Sequence, residues 1–240
     1  MPQRAALVTG ASSGIGFAIA RVLGEEGLGL TVAARRPDKL AGAVEQLRAA
    51  GCEVEEVAGN MAEEADIQRV VAAHRERWGR LDVLVNSAGV GVGAAVGETV
   101  ARRIDLQLDV NLRAIILIYP ECADLLPAAG AEHRNALVVN MSSISGKSGQ
   151  AWLSVYSATK AAVIGWTQAM NKELSGDGVK SVALCPGFVD TPMTQFVREH
   201  VSPDLMIRPE DISESVRFLL RTSPQCLVPE IVFQRPGEAL

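Results

Sequence analysis

Ala5-Ala6-Leu7-Val8-Thr9-Gly10-Ala11-Ser12-Ser13-Gly14-Ile15-Gly16 runs from a short apolar, strand-like segment through a glycine-rich turn into a helical pattern. Each glycine has a physical use at this spacing. Gly10 permits a tight turn, Gly14 lets the backbone approach a pyrophosphate, and Gly16 lets the helix lie close to the strand. The helix that follows aims free N–H groups and the positive end of its dipole at an anion. A glycine triplet is weak evidence by itself. Set between a first strand and a first helix it predicts a dinucleotide site built on Gly10, Ser12, Ser13, Gly14, Ile15 and Gly16.

Outward from this turn, short apolar runs alternate with longer helical patterns, the order that a parallel sheet covered on both faces produces. Strands are expected at Ala5–Thr9, Leu28–Ala34, Glu53–Ala58, Val83–Asn86, Ala136–Met141, Lys180–Cys185 and Glu230–Phe233. Helices are expected near Ile15–Glu26, Lys39–Ala50, Glu63–Trp78, Thr99–Leu126, Ala151–Ser175 and Pro209–Arg221. The fold class predicted is α/β, a doubly wound, mostly parallel seven-stranded Rossmann sheet in one domain over residues 1–240. Ligands of such sheets bind beyond the carboxyl ends of the strands, so the useful residues should follow strands. Residues 188–208, between the sixth strand and the last helix, are the candidate for a small substrate lid.

Composition narrows the function. A net charge of −5 with a pI near 5.3 lacks the basic excess that nucleic acid requires. No run approaches the roughly 20 apolar residues of a membrane span. The start of the chain lacks the pattern of a secretion leader, which points to the cytoplasm. Cys52, Cys122, Cys185 and Cys226 form no CxxC pair, and His74, His133 and His200 have no partners at ligand spacing. No disulfide framework or metal site is expected, and the histidines read as surface or structural residues.

The second strand ends Ala34-Arg35-Arg36. An acidic residue here would bind the ribose hydroxyls of NAD, whereas a guanidinium can grip the 2′-phosphate of NADP. Arg35, helped by Arg36, therefore predicts NADP(H) in preference to NAD(H). Tyr156 and Lys160 lie four apart in a helical stretch and share a face. An ammonium there would stabilise a phenolate and draw its pKa down toward neutrality.

Ser143 lies at the end of the fifth strand, thirteen residues before Tyr156, and Asn111 sits within the preceding long helix. Together with the TGxxxGxG turn, Asn86-Ser87-Ala88-Gly89 and Pro186-Gly187, these residues resemble the short-chain dehydrogenase/reductase family over almost the whole chain. The resemblance implies that Tyr156 exchanges a proton with the substrate oxygen and that Ser143 stabilises charge on it. It further implies that Lys160 lowers the tyrosine pKa and binds the nicotinamide ribose, while Asn111 holds a water in a proton relay. Asn86, Ala88 and Gly89 would line the adenosine ribose and Asn60 and Met61 the adenine. Pro186, Gly187, Val189 and Thr191 would border the nicotinamide. Homodimers or homotetramers are the assemblies it implies, and the row Ile115–Ile118 makes its helix apolar on more than one face.

Three positions depart from the family pattern. Asn60 stands where aspartate is usual, Ser87 replaces the second asparagine of NNAG, and the end of the chain, Gln234–Leu240, lacks paired glycines. The Ser87 change is expected to loosen the link between that strand and its neighbour. The mostly apolar set Val90, Val92, Ile144, Gln150, Trp152, Phe188 and Met193 predicts a pocket for a neutral ketone, aldehyde or secondary alcohol. Alternatives are a 3-oxoacyl thioester on acyl-carrier protein, which Asp177 after the catalytic helix disfavours, and a non-catalytic NADP(H) sensor. An extended-family epimerase or dehydratase would need a longer substrate region after Pro186.

Overall fold

The computed structural model describes residues 3–199 and 201–237, so His200 and the last three residues of the tail lie outside the description. Among the described residues seven parallel strands form one sheet in the order β3-β2-β1-β4-β5-β6-β7. They are β1 (Ala5–Thr9), β2 (Gly29–Ala34), β3 (Val54–Ala58), β4 (Val83–Asn86), β5 (Ala136–Met141), β6 (Val179–Pro186) and β7 (Glu230–Phe233). The helices are α1 (Gly14–Glu25), α2 (Pro37–Ala49), α3 (Glu64–Trp78), α4 (Ala101–Leu108), α5 (Ala114–Glu121), α6 (Leu125–His133), α7 (Ser154–Leu174) and α8 (Pro209–Arg221). Chain order reverses between β1 and β4, which opens a crevice at their carboxyl ends.

Strands β1, β2, β4, β5 and β6 are buried along their whole length, as sheets covered on both faces require. Side-chain alternation splits their residues between two cores. Ala6 and Val8 join Leu30, Val32, Ile19, Leu23 and Val216 on one face, whereas Leu7 joins Val57, Val70, Ile118 and Leu126 on the other. Helix α8 lies against α1 on the first face. Arg217 bridges the two, bonding Glu26, Glu25 at 2.7 Å and Glu214 at 3.1 Å, and Arg221 adds a 2.7 Å bond to Glu26.

Two polar groups fix the other end of the sheet. Asp82, 1% exposed, accepts from the Ala5 amide at 2.7 Å, from Arg80 at 2.7 and 2.9 Å, and bonds His133 at 2.9 Å. Burial alone would raise its carboxyl, but these bonds outweigh it and hold the group below the usual carboxylate range. His74 is fully buried between Thr31 Oγ1 and the Arg80 carbonyl, at 2.9 and 2.8 Å, and burial pushes it down to about 4. It is therefore neutral and structural, as the sequence suggested.

One expectation fails. The single helix predicted over Thr99–Leu126 is α4, a π-helical turn at Asp109–Arg113, α5 and a separate α6, with a 70° bend before α6. Two prolines flank the break: Pro120 lies in the last turn of α5, and Pro127 falls in the first turn of α6, where its missing N–H is tolerated. Helix α7 also starts three residues later than expected, after a turn in which Trp152 takes a left-handed conformation. Among the described residues no single helix is long and apolar enough to cross a membrane. The bent pair that could by composition is instead packed into the second core through Ile118, Leu126 and Ala129.

Candidate active site

The turn after β1 is closely fitted. A Cβ on Gly10, whose φ is +69°, would lie 2.7 Å from the Ala88 nitrogen, and one on Gly16 would lie 2.5 Å from the Gly10 carbonyl oxygen. Gly14, at φ +57°, faces Thr191. Ser13 begins α1 in an extended conformation and its side chain makes no capping bond. The first-turn amides of α1 are thus without a side-chain cap from Ser13.

Thr9 joins this turn to β4. Its hydroxyl accepts from the amides of Ser87 and Ala88 at 3.2 Å each and donates to the Val85 carbonyl at 3.3 Å. The strand link that Ser87 was expected to weaken is therefore carried from the other side, by a residue the sequence reading did not single out. Asn86 continues it by donating to Asn140 Oδ1 at 2.9 Å, and Asn140 donates to Thr167 on α7 at 3.0 Å. A crevice of about 200 Å³ beside these residues is lined by Thr9, Met61, Asn86, Ala88 and Val110, among others. Asn60 sits at its approach, with Oδ1 accepting from the Ala62 amide at 3.3 Å.

Ser143, Tyr156 and Lys160 meet at the carboxyl end of β5. The Ser142 hydroxyl donates to the Lys160 carbonyl at 2.8 Å, and a Cβ on Gly146 would come within 2.6 Å of the same backbone. The Ser143 loop is thereby laid directly on α7. Ser143 lies near enough to the Tyr156 phenol to lower its pKa, accepts from the Ser145 amide at 3.1 Å and donates to the Pro186 carbonyl at 3.3 Å. Lys160, 3% exposed, donates from Nζ to the Met141 carbonyl at 2.7 Å and lies 5.6 Å from the Tyr156 ring centroid.

The electrostatics differ from the expectation. Burial pushes the Tyr156 phenol up, and Ser143 offsets this only in part. Burial likewise pushes Lys160 down, to about 8. Desolvation thus keeps the phenol neutral and leaves Lys160 charged only below about pH 8, and the lysine does not draw the phenol into the neutral range.

Asn111 occupies the π-helical turn, where the helical hydrogen-bond ladder is displaced. Its Nδ2 donates to the Val90 carbonyl at 2.8 Å and to Thr159 Oγ1 at 3.2 Å, and its Oδ1 accepts from the Val90 amide at 2.8 Å. One helical turn earlier, Gln107 accepts from the Val92 amide at 3.1 Å. The Ala94 amide donates to the Trp152 carbonyl at 2.8 Å. Residues 90–94 are thus a strap pinned at every second position from three elements. The i, i+4 spacing of Gln107 and Asn111 was the sequence signal for this, and it was passed over.

The strap borders a groove of about 210 Å³ that includes Val92, Ala94, Arg103, Gln107 and Trp152. Of the predicted pocket residues, Val92 and Trp152 line it. Gln150 is exposed beside it, bonding Ser157 and Ser148; Ile144 is buried under the Ser143 loop; Phe188 lies below the Arg235 guanidinium at 5.3 Å; and Met193 is exposed on the turn Pro192–Val197. Phe196, not anticipated, meets Trp152 with ring centroids 6.4 Å apart. The segment 188–208 is anchored by a bridge between Val189 and Ile207 and by the Arg198–Asp190 ion pair at 2.6 Å. Arg35 and Arg36 are exposed at the end of β2 with no ion pair among the described residues.

A family model described as short chain dehydrogenase matches residues 4–202. The chain belongs to the short-chain dehydrogenase family. As a member it is an oxidoreductase with the family's Rossmann fold. It is 42% identical, over 82% of its length and 75% of the relative's, to a Streptomyces coelicolor protein whose name assigns it ketoacyl reduction. It is 37% identical, over 88% and 77%, to a protein of Streptomyces violaceoruber named as a ketoacyl reductase of the granaticin polyketide synthase. Among solved structures it resembles a variant of the actinorhodin polyketide ketoreductase with NADPH, at 34% identity, 95% coverage of both chains and a TM-score of 0.87. It also resembles an alcohol dehydrogenase from the archaeon Thermococcus sibiricus complexed with 5-hydroxy-NADP, at 28% identity, 98% and 99% coverage and a TM-score of 0.86.

Proposed function

We propose that this short-chain dehydrogenase reduces a ketone with NADPH, using Tyr156 as the proton donor. The observation that carries the reading is the meeting of Ser143, Tyr156 and the buried Lys160 at the carboxyl end of β5, with the Lys160 ammonium 5.6 Å from the Tyr156 ring centroid. NADPH supplies the hydride. The glycine turn suits its pyrophosphate: Gly10 and Gly16 have no room for a side chain, and the start of α1 carries no side-chain cap from Ser13. Ser12, Ser13 and Ile15 complete that turn. Asn60, Met61, Asn86, Ala88 and Gly89 border the adenosine half; Pro186, Gly187, Val189 and Thr191 border the nicotinamide half.

A carbonyl oxygen placed against Tyr156 and Ser143 receives two hydrogen bonds once the Ser143 hydroxyl turns from its 3.3 Å bond to the Pro186 carbonyl, and these stabilise the charge that develops as the carbon is reduced. Because burial keeps the phenol protonated at neutral pH, Tyr156 is a proton donor in its resting state. The Lys160 ammonium, when charged, stabilises the phenolate left behind and returns it to the neutral form. Asn111 spends both side-chain N–H donors on the Val90 carbonyl and Thr159, so it acts chiefly by holding the strap and α7 in register.

Preference for NADP(H) over NAD(H) rests on Arg35 and Arg36, two exposed guanidinium groups at the strand end where a 2′-phosphate would sit. A homo-oligomer formed through α5 and α7 is the assembly we favour. Ile115 and Ile118 are consumed by the chain's own core, leaving Ile116 and Leu117 half-exposed for a partner. We read residues 1–240 as one domain with a lid at 188–208, acting in the cytoplasm. A 3-oxoacyl thioester is the second reading, favoured by the relatives named for ketoacyl reduction.

Fluorescence titration with NADPH and NADH, on the native chain and on Arg35→Asp, tests the cofactor assignment. Tighter NADPH binding that the substitution abolishes supports it, and equal binding of the two nucleotides overturns it. NADPH oxidation with free and carrier-bound 3-oxoacyl thioesters at two salt concentrations then separates the two substrate readings.

A further inference from the structure

Trp152 combines three features that its place in a turn does not explain. Its φ is +69°, a conformation a bulky side chain rarely adopts. Its indole rests on Gly93, where a Cβ would fall 2.3 Å from the ring, so that glycine is the residue its position allows. And it remains 56% exposed. The strained backbone is held by the Ala94–Trp152 hydrogen bond at 2.8 Å, and strain of this kind collects at ligand-contacting positions. The second ring, Phe196, comes from the segment 188–208 and is 60% exposed; the two rings meet at 6.4 Å with their planes tilted 58° apart. They form a V above Gly93 in which each residue remains more than half exposed.

The strap sets where the V lies relative to the chemistry. A Cβ on Gly91 would touch the Tyr156 ring at 3.8 Å, whereas Gly93 lies under Trp152. Two residues of extended backbone separate these contacts, roughly 7 Å. A substrate whose carbonyl oxygen meets Tyr156 therefore carries its next ring into the V. Aromatic faces inclined to one another favour a flat π-system, which stacks on one ring and presents its edge to the other, over a puckered saturated ring of the same size.

We propose that Trp152 and Phe196 form an aromatic clamp that selects carbonyl substrates carrying a flat aromatic ring next to the reacting carbonyl. This deepens the ketone-reductase reading and rests on it. The clamp takes its floor from Gly93 and its two jaws from the turn before α7 and from the segment 188–208.

The test compares 2-tetralone with 2-decalone, two bicyclic ketones whose carbonyls are unconjugated and whose second ring is flat in one and puckered in the other. NADPH oxidation is followed with the native chain, Trp152→Leu, Phe196→Leu and Gly93→Ala. The native chain is expected to favour 2-tetralone in kcat/KM, and each substitution to lower the tetralone-to-decalone ratio about tenfold, mainly through KM. A ratio that stays within twofold of native in both ring variants overturns the clamp while leaving ketone reduction intact. A second readout, quenching of tryptophan fluorescence by 2-tetralone in the presence of NADPH, covers the case of no turnover. If quenching occurs natively and is lost in Trp152→Leu, the clamp stands and ketone reduction falls. If neither turnover nor quenching occurs, both are overturned.

Discussion

The side-chain amide of Asn111 grips the backbone of Val90 from both sides, donating to its carbonyl and accepting from its N–H, each at 2.8 Å. A two-point clasp of this kind fixes both the position and the rotation of the strap that passes the phenol. The remaining Asn111 donor reaches Thr159 on α7, so one side chain aligns the strap with the helix carrying Tyr156 and Lys160.

Asn111→Leu keeps the volume and removes all three bonds. Leaving buried partners unpaired costs about 1–3 kcal/mol each, and water can reach the half-buried Val90, so a loss of about 2 kcal/mol is expected. Urea denaturation of the native and substituted chains measures it. A loss under about 0.5 kcal/mol would mean that the clasp is not structural.

Lys160 makes stability depend on pH with a definite sign. Its folded pKa, about 8, lies below the ordinary lysine value of 10.5, so between these values only the unfolded chain keeps the proton. The folded state consequently gains stability as pH rises from 8, and below 8 it bears the full cost of a buried charge. Lys160→Met lacks this dependence, while the buried cysteines titrate alike in both proteins and cancel. Relative to Lys160→Met, the native chain should gain about 2 kcal/mol between pH 7.5 and 9.5, read by chemical denaturation. A constant difference would refute the assignment of this charge.

Tyr156→Phe removes only the phenolic hydroxyl and should lower turnover with a ketone by about 10²–10⁴-fold. NADPH affinity, by fluorescence, should change little, because the glycine turn is untouched. Equal turnover in both proteins would show that another group gives the proton.

Two glycines should respond in opposite directions. At Gly10 a methyl group meets the Ala88 backbone at 2.7 Å and a positive φ, so Gly10→Ala should cost more than 2 kcal/mol, on the order of other severe backbone strain, and abolish NADPH binding. At Gly42, exposed within α2, a Cβ meets nothing within 4 Å, and Gly42→Ala should stabilise by about 0.5–1 kcal/mol. Paired thermal melts distinguish the outcomes.

The sheet was legible because its strands are nearly continuous apolar runs, and β1, β4, β5 and β7 fall where those runs do. The glycine turn was legible for a related reason, since close backbone approach leaves glycine as the residue that fits. The break before α6 was hidden because Pro127 reads as a blemish within one apolar stretch until tertiary packing makes it a first turn. Thr9, Gln107 and Gly146 were missed because their partners are backbone groups far along the chain or on another element, and no local pattern marks a hydroxyl or amide that serves a distant backbone. Phe196 belongs to the same class: its meaning comes from Trp152, forty-four residues earlier, and not from its neighbours in sequence.

The contact between α1 and α8 has a bearing on how the molecule comes into being. Helix α1, which follows directly from the glycine turn, leaves the ribosome well before α8, yet Ile19 and Leu23 share a core with Val216, and Glu26 meets Arg217 and Arg221, nearly two hundred residues later. Contacts of such separation form late. A nascent chain halted before Pro209 would display the apolar flank of α1 to solvent and to its own kind, a state prone to aggregation. The glycine turn is thus made long before the helix that secures it.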